Sequence, residues 1–109
     1  MIRVTVTPRS NENLYGLLVN IEVQLRQQNR GTLHRKGGKK RGDEKWVHAT
    51  YPGWVRFQKC LGGVVVAQIQ SKNDEAGWQL LSSFIGFLDR HFRSELATVN
   101  ISYETADEW

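Results

Sequence analysis

Three histidines, His34, His48 and His91, and one cysteine, Cys60, are the side chains best suited to proton transfer, metal ligation or nucleophilic attack near neutral pH. Their spacing matches no common metal motif, and a single cysteine excludes both an internal disulfide and a cysteine-based zinc cluster. A Gly-rich phosphate loop, Gly-x-Ser-x-Gly and His-Glu-x-x-His are all absent. His48, His91 and a carboxylate would make a zinc or acid–base site only if folding brought them together. His91 reads instead as a residue at the border of an apolar helix stripe, and Cys60 as a small hydrophobe. The expectation is therefore no catalytic residue, no metal and no cofactor.

Cations and aromatic rings give a stronger signal. Residues 26–45 hold eight basic side chains and two acidic ones, a net +6, whereas the other residues together are slightly acidic, so the formal +4 belongs to one segment. Within it, Arg35, Lys36, Lys39, Lys40 and Arg41 are spread among glycines with little to bury, and residues 28–43 read as a long exposed basic loop. The strands that follow place Trp46, His48, Trp54 and Arg56 on one outward patch if Val47, Ala49, Tyr51, Val55 and Phe57 face the core. Rings that stack bases beside cations that meet phosphates are what single-stranded nucleic acid requires. The structural alternative has Trp46 and Trp54 bracing the strands.

These side chains must be positioned by the elements around them. Alternation over residues 2–7, of Ile2, Val4 and Val6 with Arg3, Thr5 and Thr7, predicts a strand. Residues 14–27 are ambiguous: Leu17, Val19, Ile21, Val23 and Leu25 alternate as in a strand, the preferred reading, while Leu14, Leu17, Leu18, Ile21 and Leu25 also fit a helical stripe. Lys45 to Tyr51, Trp54 to Cys60 and Val64 to Ser71 read as an antiparallel meander with turns at Pro52-Gly53 and Gly62-Gly63. Asn73 or Asp74 caps a helix whose stripe runs from Trp78 to Phe92, and Thr98 to Glu104 closes the chain as a strand. Ser82, Ser83 and Gly86 on that helix are small enough to admit a symmetry-related helix.

At 109 residues and 39% apolar, the sequence reads as one domain, residues 1–109, with no membrane-spanning run and no leader peptide, and as cytoplasmic. The fold class is α+β: a two-layer, mainly antiparallel sheet against one long C-terminal helix. If residues 14–27 are helical, the order approaches a ferredoxin-like βαββαβ. The functional expectation is a binding module, dimeric, for RNA or single-stranded DNA. The alternatives are an interaction or immunity-type module of a mobile element that binds an acidic protein, and a small-molecule-binding protein or hydrolase.

Overall fold

Ile2, Val4 and Val6 put one face of the first strand into the core, and this strand, β1 (Ile2–Pro8), lies inside the sheet rather than at its edge. The computed structural model describes residues 1–10, 13–36 and 44–104. After β1 come α1 (Leu14–Gln27), β2 (Leu33–Arg35), β3 (Glu44–His48), β4 (Trp54–Lys59), β5 (Val65–Gln70), α2 (Asp74–Phe92) and β6 (Leu96–Tyr103). The strands form one sheet in the order β2-β3-β4-β5-β1-β6, antiparallel throughout. This is the two-layer α+β arrangement, with the long helix α2 against one face.

Residues 14–27 are a helix, which corrects the preferred strand reading. The residues that reading buries, Leu17, Val19, Ile21, Val23 and Leu25, are all only half-buried, while Leu14, Tyr15, Leu18 and Glu22 are the buried ones. Helical spacing puts those four on one side; strand spacing would split them. Both ends are fixed locally. Asn13 Oδ1 accepts from the Gly16 N–H at 3.2 Å, and Asn29, at φ 54, turns the chain so that the Arg30 N–H reaches the Leu25 carbonyl at 2.7 Å. With α1 in place, β1, α1, β4, β5, α2 and β6 follow the βαββαβ order, and β2–β3 is a hairpin added at one edge.

A single core joins sheet and helices. Val4, Val55, Phe57, Val65, Ala67 and Ile69 from alternate strand positions meet Leu14 and Leu18 of α1 and Leu80, Phe84 and Leu88 of α2. Both helices thus cover the same face, and among the described residues no helix covers the opposite one. The meander is as expected, and Asn73 caps α2 by accepting from the Ala76 N–H at 2.8 Å. Three details differ from the sequence reading. Leu33–Arg35 is a strand within the stretch read as loop, Trp46 points into the core, and Trp78 at the start of the α2 stripe is 61% exposed.

Candidate nucleic-acid interface

Register decides which side chains share the open face. In β3 and β4 the paired residues are Trp46 with Val55 and Lys45 with Arg56. Directly opposed residues of an antiparallel pair project to the same side, so Trp46 joins Val55 in the core and Lys45 joins Arg56 outside. The same line continues through Gln68 of β5 and Arg3 of β1 to Ser102 of β6. Lys45, Arg56, Gln68, Arg3 and Ser102 therefore form one row across five strands, and at about 4.8 Å per strand the Lys45 and Arg3 Cα atoms lie about 15 Å apart.

Trp54 lies one row further along the same face, opposite Gln70, with the Lys45 ammonium 4.6 Å from its ring centroid. That cation–π contact holds a positive charge against an aromatic plane. Gln58, Val66, Thr5 and Asn100 make the row on the other side. A shallow cavity of about 300 Å³ opens beside Arg56, lined also by Gln58, Lys59 and Gln68. Among the described residues the face carries one carboxylate, Glu104 at its margin, and this is tied to Arg3 at 2.9 Å.

The site residues expected from sequence are therefore divided. Trp54 and Arg56 come together outside. Trp46 does not join them: it is 1% exposed, packs edge-on to Phe87 at 5.8 Å and tilts against Phe57 at 5.0 Å. His48, also expected outside, follows the parity of Trp46 and sits opposite Leu33. Its ring stacks on Tyr51 at 4.4 Å, and Nδ1 accepts from the Thr50 and Tyr51 N–H groups at 2.9 and 3.1 Å. Arg35 turns inward against Glu44 at 3.4 Å, while Lys36 is exposed at the end of β2. Lys39, Lys40 and Arg41 lie outside the described residues. Ser82, Ser83 and Gly86 border a small cavity of about 190 Å³ with Arg90 and His91, and a side chain placed at Gly86 would meet nothing within 4 Å.

Beneath the hairpin lies a polar relay that sequence reasoning missed. Trp46 Nε1 donates to the Tyr15 hydroxyl at 3.1 Å, and Tyr15 donates to Glu44 Oε2 at 3.1 Å. Glu44 also receives Arg35. Burial pushes the Tyr15 hydroxyl up to about 12, with the nearby Glu44 carboxylate acting in the same direction, so it stays a neutral donor. This relay fixes β3, and with it the outward aim of Lys45. Arg3, Lys45 and Gln68 were also absent from the sequence-derived site, although the alternation of β1 already turns Arg3 away from Val4.

No three His, Cys, Asp or Glu side chains among the described residues are grouped to hold a metal ion, and no described helix is long and apolar enough to cross a membrane. His91 meets Phe87 edge-on at 5.3 Å, and burial followed by the charges of Arg90 and Arg30 holds its pKa below 6.5. Compared with family models, curated proteins and solved structures, the chain finds no match.

Proposed function

We propose that the chain is a binding module for single-stranded nucleic acid, RNA or single-stranded DNA, and that the open sheet face is its contact surface. One observation carries this reading: Lys45, Arg56 and Arg3 occupy one cross-strand row beside Trp54 on a face whose single described carboxylate is at the margin. Extended nucleic acid makes alternating demands, a cation for each phosphate and a flat apolar surface for each base. The row supplies the first and the indole the second. Gln58 and Gln68 on the same face add amide donors and acceptors that suit base edges or sugar hydroxyls.

Fluorescence anisotropy with labelled single-stranded RNA and DNA at low salt tests the reading. Three phosphate contacts give a slope of log K against log salt of about −2 for a single strand. Trp54→Ala loses a stacked base worth about 1–3 kcal/mol, and Arg56→Glu weakens binding at every sequence. An acidic protein surface would use the same cations but not the ring. Retention of an acidic partner with unchanged affinity in Trp54→Ala, and no binding of either nucleic acid, would overturn the proposal.

A further inference from the structure

The sheet has two unlike margins. At the β2 margin the strand is three residues long and is followed by Lys36, and a short, charged edge resists pairing with another chain. At the other margin β6 runs for eight residues, Leu-Ala-Thr-Val-Asn-Ile-Ser-Tyr, without a charge, a proline or a glycine. Its one irregularity falls at the start, opposite Thr7 and Pro8, so the ladder is regular from Thr98 onward. From Thr98 to Tyr103 no charge, proline or irregularity of the ladder blunts that edge.

The main-chain groups that β6 offers can be identified. Met1 and Glu104 exchange both N–H···O bonds, at 3.0 and 2.8 Å, so they are a hydrogen-bonded pair. Alternation along an antiparallel ladder then assigns Ser102, Asn100 and Thr98 to β1, and turns the N–H and C=O of Tyr103, Ile101 and Val99 toward the margin. The side chains of these three lie on the helix side of the sheet, opposite Ile2, Val4 and Val6, yet they are 68%, 41% and 37% exposed. Trp78 of α2, 61% exposed, borders the same cavity as Tyr103. An apolar strip thus flanks a backbone edge that no other described strand pairs with.

We propose that two copies of the chain pair through β6, antiparallel about a two-fold axis at Asn100, to make one continuous sheet. That register sets Val99 against Ile101 of the second copy, Thr98 against Ser102, Ala97 against Tyr103 and Asn100 against itself. From Ala97 to Tyr103 every apolar residue meets an apolar one, every small polar residue a small polar one, and no charge opposes another. The partner is a second copy because the strand is its own complement at this register. Aromatic side chains bring about 150–250 Å² each, so Trp78 and Tyr103 alone contribute on the order of 250 Å² per copy. Val99, Ile101 and the strand backbone add to that toward the roughly 800 Å² per partner of a stable interface.

Asn100 bonds to β1, so across the axis it is a non-hydrogen-bonded pair with its copy, Cα atoms about 4.5 Å apart and within disulfide range. The experiment combines solution mass by light scattering with cross-linking, in protein carrying Cys60→Ser and no nucleic acid, and so reads this interface independently of the proposed function. A dimeric mass, conversion to monomer by Ile101→Lys with unchanged circular dichroism, and rapid disulfide formation by Asn100→Cys but not by Ser102→Cys would support the proposal. A monomer at all concentrations, a dimer untouched by Ile101→Lys, or equal cross-linking at both cysteine positions would overturn it. If Ile101→Lys fails to fold, the pair of cysteine variants decides alone.

Discussion

The indole N–H of Trp46 reaches the hydroxyl of Tyr15 at 3.1 Å inside the core, linking the β3 strand to a helix 31 residues earlier in the chain. Tyr15→Phe keeps the ring but leaves a buried indole donor unpaired and takes one donor from Glu44. An unsatisfied buried group costs about 1–3 kcal/mol, so urea unfolding should show a loss of that size. A loss below about half a kcal/mol would mean that the relay does not hold the hairpin.

Two glycines make opposite forecasts. A Cβ at Gly53, where φ is 111, would come 2.3 Å from the Gln70 carbonyl oxygen and 2.8 Å from Leu80 Cδ1. Gly53→Ala therefore strains the backbone and displaces β5, at a cost of about 2 kcal/mol or more. Gly86 sits within α2 with open space around its missing Cβ. Gly86→Ala should raise stability by about 0.5–1 kcal/mol through helix propensity, as thermal melts would register. A destabilising Gly86→Ala would instead reveal a close neighbour there, such as the helix of a second copy.

Glu22 is fully buried, with Oε2 at 3.1 Å from His34 Nδ1 and 3.5 Å from Arg26 Nε. His34 Nε2 faces the Gly31 carbonyl at 3.2 Å, so both ring nitrogens address acceptors. Removing the histidine leaves the buried carboxylate only the longer Arg26 contact, whereas replacing the carboxylate by an apolar side chain of similar size releases His34 and Arg26 to solvent. His34→Ala should thus cost about 3 kcal/mol, and Glu22→Leu less than about 1. Denaturant midpoints in the reverse order would refute this account of the pair.

Acid should weaken the fold before the carboxylates titrate. His48 Nδ1 accepts two backbone N–H groups, and burial, then the nearby His34, holds its pKa below 6.5; His91 is shifted in the same sense. Because the folded values lie below the unfolded one, the unfolded chain takes protons first. The stabilisation is complete above about 6.5 and is lost as pH falls from there toward the folded values. Melting temperature should drop across that interval, and a His48→Ala, His91→Ala double variant should flatten the drop. An unchanged slope in the double variant would assign the effect elsewhere.

The meander, α2 and the first and last strands of the chain, β1 and β6, are legible because their apolar periodicity is clean, and Pro52-Gly53, Gly62-Gly63 and Asn73 mark the boundaries between them. The facing of Trp46 is legible too, by a route the patch argument overlooks. A turn centred on Pro52-Gly53 pairs even-numbered residues of β3 with odd-numbered residues of β4, so burying Val55 and Phe57 already commits Trp46 to the core. The observed Trp46–Val55 pairing keeps that parity, although the ladder stops before the turn. Helix α1 is harder, because its half-buried residues alternate as a strand would and its deepest polar residue, Glu22, is accommodated by His34 from another element. The cationic row is harder still: it exists only through registers among strands far apart in sequence.

The brevity of β2 has a consequence for how many copies can join. A sheet able to add strands at both margins can propagate into a fibre, since each addition exposes another receptive edge. Here one margin offers only Leu33–Arg35, and symmetric pairing of β6 uses the other completely. Growth then terminates at the second copy, with a short, cationic strand capping each end of the assembly.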